Sequence, residues 1–123
     1  MDGQSKQTHQ DRLNIVRSGD TVELLSADGD ITYQMKANEK FIFVSLASSY
    51  DMTVTLPPVS ECAGGLYHIW LTVNAGGGAN VIVEDFKDDA GLSDITDIAT
   101  AGEYCLLFSN GRKWLQTSAA GYT

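Results

Sequence analysis

From residue 20 onward the chain breaks into short runs in which apolar and polar side chains alternate. Residues 31–36 are the clearest case: Ile31, Tyr33 and Met35 fall on one face, Thr32, Gln34 and Lys36 on the other. That period of two is the pattern of a half-buried strand. Similar reasoning places strands over residues 21–25, 52–56, 66–73 and 81–84, with a strand fragment over 95–99. Residues 40–46 are apolar on both faces, which predicts a central strand covered from both sides. Turn signals separate the runs, among them Asp28-Gly29, Ala37-Asn38-Glu39, Pro57-Pro58, Gly64-Gly65 and the glycines at 76–78. Asn110-Gly111 joins the last two runs, 103–109 and 113–117. This dipeptide predicts a tight type I′ hairpin, because both central residues of that turn need positive φ.

No window of twelve or more residues combines an apolar stripe at helical period with capping residues, and no repeat of fixed period stands out. Short strands spaced roughly 8–12 residues apart point to an all-β fold. The expectation is an antiparallel β-sandwich or jelly-roll-like barrel with an extended N-terminal arm. Residues 1–19 form the arm and residues 20–123 a single β-sandwich domain.

Composition narrows the function. The 123 residues suit one domain, and 43% hydrophobic content is enough for a core. Sixteen acids against eight bases give a net charge of −8, the opposite of what phosphate neutralisation requires, so a nucleic-acid partner is not expected. Apolar runs are too short to span a bilayer, and the polar N-terminus has no apolar signal core, so no membrane partner and synthesis in the cytoplasm are expected. In that compartment Cys62 and Cys105 are expected as reduced, packed thiols. The first nineteen residues differ from the rest: Lys6, Arg12 and Arg17 outnumber Asp2 and Asp11, giving about +1 against −9 for the remainder. A polar, weakly basic segment of this kind reads as an arm that orders on a partner.

Candidate chemistry is sparse. The acidic loop over 84–97 could offer oxygens to Ca²⁺, but Lys87 interrupts any EF-hand spacing and a solvated loop is the simpler reading. The glycines at 76–78 lack the Lys-Ser/Thr and the helix of a phosphate loop. No Gly-x-Ser-x-Gly elbow is present, and Cys62 has only His68 as a nearby base, with nothing to orient it. Tyr33, Tyr50, Tyr67, Trp70, Tyr104 and Trp114 could line a sugar-binding face, although strand aromatics pack into cores by default. No catalytic, cofactor-binding or metal residue is therefore assigned, no cofactor is expected, and the chain is not read as an enzyme.

Laid out in order, the second half resembles a known group. Val54-Thr55-Leu56-Pro57-Pro58 is followed by a short loop ending in Gly65, then Tyr67-x-Ile69. A Gly-rich turn, Val81-x-Val83 and an Asp-rich loop come next, then Ala101-Gly102-Glu103-Tyr104, Leu107-x-Ser109-Asn110-Gly111 and Trp114. Over residues 52–117 this resembles a β-sandwich of tailed-bacteriophage virion structural proteins, found in capsid decoration (cement) proteins and in tail-fibre domains. In that group these are fold residues, with Trp114 expected to plug one end of the core.

The resemblance implies a capsid decoration protein on the phage virion surface, made in the host cytoplasm. It would bind major capsid protein and form a homo-oligomer, a trimer or a dimer. Tail-fibre versions sit in longer chains, so a complete 123-residue subunit is expected here. Lys6, Arg12, Leu13, Ile15, Val16 and Arg17 are the expected capsid-interaction residues. The alternative is a tail, baseplate or fibre component, including a carbohydrate-binding knob.

Overall fold

A computed structural model of the chain describes residues 13–26, 30–46, 50–75, 79–86, 89 and 96–120. The fold is all-β. One sheet holds six strands in the order β1 (Leu13–Ser18), β2 (Thr21–Ser26), β4 (Phe41–Leu46), β6 (Leu66–Asn74), β9 (Tyr104–Ser109) and β10 (Trp114–Ala120). The other holds β3 (Ile31–Gln34), β5 (Met52–Thr55), β7 (Val81–Glu84) and β8 (Thr96–Ile98). Among the described residues one 3-10 turn, Val59–Cys62, interrupts the strands.

The pairing corrects the antiparallel expectation. β2, β4 and β6 run parallel, as do β3, β5 and β7; antiparallel pairs occur at the flanks, where β1 meets β2, β8 meets β7, and β9 meets both β6 and β10. Among the described residues each sheet is open, ending in two edge strands. The physical reason for the difference is simple. Side chains alternate with period two in either kind of sheet, so alternation carries no information on strand direction. Parallel neighbours do need a long crossover, and here the crossover is a strand of the opposite sheet. The chain passes from β2 to β3, back to β4, over to β5, back to β6 and over to β7, making three coils wound between two sheets.

The buried faces of both sheets meet in one core. Val22 and Leu24, Ile42, Val44 and Leu46, and Ile69 and Leu71 enter it from the large sheet; Met52 and Val54, and Val81 and Val83 from the small one, all with no exposed surface. Burying each such side chain is worth about 1.5–3 kcal/mol, so the inward positions specify the register. Trp114 is fully buried, as expected of a core plug, and meets Tyr67 edge-on with ring centroids 5.4 Å apart.

The corners of the coils are stitched by matching polar residues. Asp30, Asp51 and Asn80 immediately precede β3, β5 and β7. Asp30 Oδ1 accepts the Asp51 backbone N–H at 3.0 Å, and Asp51 Oδ1 accepts that of Asn80 at 2.9 Å. These bonds run from each coil to the next.

The closing hairpin is wider than a type I′ turn. Ser109 pairs with Trp114, so residues 110–113 make the connection. Asn110 Oδ1 accepts the backbone N–H groups of Arg112 and Lys113, both at 2.9 Å, an Asx-type closure. Gly111 adopts the positive φ expected, +89°. Buried Ser109 donates its hydroxyl to the Val59 carbonyl at 2.7 Å and ties the hairpin to the 3-10 turn.

Candidate functional site

Of the expected interaction residues, Lys6 and Arg12 lie outside the described residues. Leu13, Ile15, Val16 and Arg17 belong to β1, so residues 13–18 are a strand paired along β2 rather than part of a free arm. β1 is an edge strand of the large sheet. Ile15 and Val16 remain 38% and 51% exposed.

Arg17 is held in place by a network that the sequence did not disclose. Its Nε donates to Glu39 Oε2 at 3.3 Å, and a terminal guanidinium nitrogen donates to the Tyr33 hydroxyl at 3.1 Å. Glu39 is buried, yet its carboxylate accepts the Tyr33 hydroxyl and the Lys36 backbone N–H. A buried carboxylate persists only when its oxygens are satisfied in this way. Burial, and next the Glu39 carboxylate, push the Tyr33 phenol above its ordinary range, while Tyr33 followed by Glu39 raises Arg17. The network anchors the inner end of β1 to the turn between β3 and β4.

A second polar cluster lies under the turn at Gly64-Gly65. Tyr67 donates its hydroxyl to the Ala37 carbonyl at 2.5 Å, and Lys40 Nζ sits 3.2 Å from that hydroxyl. Cys62 is buried, and desolvation raises its thiol above its ordinary range. Burial raises Tyr67 as well, with Cys62 adding to it. His68, the only base named from sequence, turns to the opposite face of β6 and stacks on Phe41, with centroids 4.6 Å apart. Desolvation lowers its pKa. Cys62 and His68 are therefore not brought together, and this cluster is structural.

Most of the acidic loop lies outside the described residues. Asp89 Oδ2 accepts the Val59 backbone N–H at 2.8 Å, a structural role. Among the described residues no group of three or more His, Cys, Asp or Glu side chains is placed to hold a metal.

The two outward faces differ sharply in chemistry. The small sheet shows Thr32 and Gln34, Thr53 and Thr55, and Ile82 and Glu84. The large sheet instead carries cross-strand apolar rows. Phe43, Trp70 and Tyr104 are register neighbours on β4, β6 and β9, with the last two stacked at 4.4 Å. Phe41, His68 and Leu106 form the next row, and Leu66, Phe108 and Leu115 another on β6, β9 and β10. Leu66 and Leu115 are about two-fifths exposed, at 40% and 39%. Among the described residues the small sheet covers only the other face.

The two-faced apolar pattern of residues 40–46 is expected of a strand covered on both sides; β4 is central in its sheet, but among the described residues only its Ile42, Val44 and Leu46 face is covered. Alternation in β6 likewise sets buried Tyr67, Ile69 and Leu71 against half-buried His68 and Trp70. Comparison with protein-family models, with curated proteins and with solved structures gives no match.

Proposed function

We propose that the chain is a virion structural protein of the capsid decoration type, a homo-oligomer that binds the outside of a phage head and bridges major capsid proteins without catalysis. In this reading the two sheets form the β-sandwich body, and residues 1–12 extend from it as the arm. The observation that carries the reading is the placement of β1. It is an edge strand with Ile15 and Val16 exposed, fixed at its inner end by Arg17, so it serves as a rigid mount for the polar segment before it. An exposed edge can also accept a further strand from a partner. Binding the assembled shell but not separated subunits would stabilise the shell by mass action. The net charge of −8 suits a body that faces solvent.

The test is binding of purified full-length chain to undecorated heads. Deleting residues 1–12, which leaves β1 intact, is expected to weaken binding at least tenfold, and Val16→Asp to weaken it further. Undiminished binding by both variants refutes the arm. Association with tails or baseplates and not with heads would favour the fibre-component reading.

A further inference from the structure

We infer that the outward face of the large sheet is a self-association surface, covered in solution by the same face of another copy of this chain. The inference concerns the homo-oligomer of the preceding reading but stands on the sheet itself, whatever the chain docks onto.

Three observations support it. The first is charge. Across β4, β6 and β9 the outward positions include Phe41, Phe43, Trp70, Tyr104 and Phe108 but no Asp, Glu, Lys or Arg; the outward acid of the neighbouring strand is Glu23 on β2. The chain as a whole carries −8, so two copies repel unless they meet where charge is missing. A partner drawn by the chain's acidity would need acids on the contact face, and the centre of this one has none.

The second is extent. Together with the flanking β2 and β10, the strands β4, β6 and β9 span roughly 24 Å by 20 Å, within the range of the largest apolar patch on a monomer, with Thr21 and Glu23 of β2 at one margin. Two such faces would bury an area approaching the ~800 Å² per partner of a standard pair.

The third is that, among the described residues, no element of the fold lies over this face. The face also fits protein better than sugar, because Trp70 and Tyr104 turn their ring faces on each other and not toward solvent. Sheet faces of this kind pack about 10 Å apart, as in a core, either two across a dyad or three around an axis.

The experiment uses full-length chain. Analytical ultracentrifugation is expected to give two or three times 13.3 kDa, and Trp70→Lys or Phe43→Lys to raise the dissociation constant at least a hundredfold. Thr53→Lys, on the outward face of the small sheet, should leave assembly unchanged. A readout on the unmodified chain guards against misfolded variants. Trp114 is buried in the protomer, so acrylamide quenching that increases on dilution reports Trp70 becoming uncovered. Monomeric wild type at about 100 μM with concentration-independent quenching overturns the inference and assigns the face to a different protein. An unchanged oligomer in well-folded Trp70→Lys also overturns it. Loss of head binding on deleting residues 1–12, with the oligomer intact, separates this surface from the arm.

Discussion

The carboxylate of Glu39 holds the Tyr33 hydroxyl against both of its oxygens, each 2.9 Å away. Glu39 is 3% exposed, whereas the Arg17 side chain that also binds it is 48% exposed. Glu39→Ala should therefore be the more damaging change, since it strands Tyr33 and the Lys36 N–H; about 3 kcal/mol is expected. Arg17→Ala removes a half-solvated partner and should cost about 1 kcal/mol. Urea denaturation of the two variants checks the order, and equal losses would show that the ion pair dominates the network.

The bonds from Asp30 to Asp51 and from Asp51 to Asn80 predict that corner residues are interchangeable only within acceptor chemistry. Asp51→Asn keeps an acceptor for the Asn80 N–H and should be nearly neutral. Asp51→Ala should cost about 1 kcal/mol, the worth of one partly buried hydrogen bond. Thermal melts of the two variants would separate acceptor chemistry from charge.

This corner also shows what the sequence contained and concealed. Asp30-Ile31-Thr32-Tyr33, Asp51-Met52-Thr53-Val54 and Asn80-Val81-Ile82-Val83 are the same turn of the coil read three times. The repeat escapes a search at fixed period because its spacing is uneven: Ile31 to Met52 is 21 residues and Met52 to Val81 is 29. Strand positions were legible, since alternation follows directly from burial. Strand direction was not, and neither was the face on which a two-sided apolar strand is left open. Glu39 read as a turn residue because only tertiary contacts reveal a satisfied buried acid.

Gly65 sits where a side chain has no room. A Cβ there would lie 2.8 Å from Tyr67 Cε1, 2.9 Å from the Cys62 carbonyl oxygen and 2.9 Å from Lys40 Nζ. Gly65→Ala should cost about 1–3 kcal/mol, the range for overpacking. Gly64 has φ of +79° with open space beside it, so Gly64→Asn should be better tolerated, as Asn accepts the left-handed region. Chemical denaturation of both variants tests whether crowding or backbone handedness governs this turn.

Burial pushes the Cys105 thiol up to about 12 from an ordinary value of 9.0. Because the folded state resists ionisation, the contribution is intact below about pH 9 and is lost as the pH rises toward 12. The melting temperature should fall over that window in the wild type, and less steeply in Cys105→Ala. Native-state alkylation should be slow at both cysteines and become fast once the chain is unfolded. Rapid labelling of Cys62 in the native protein would contradict its raised thiol pKa.

Winding the middle of the chain in parallel while folding its flanks into hairpins sets an order of assembly. β1 with β2, and β9 with β10, are joined by short connections, whereas β2 meets β4, and β4 meets β6, only after an excursion through the opposite sheet. Local pairs close with little loss of chain entropy and distant ones do not. The two edges of the large sheet should therefore form early and the centre last, at the β4–β6 seam. Changes in β10 should therefore slow refolding, while conservative truncations at the last-formed seam, such as Ile69→Val, should act mainly on unfolding. The inverse pattern would mean that the coil nucleates first and the hairpins dock onto it.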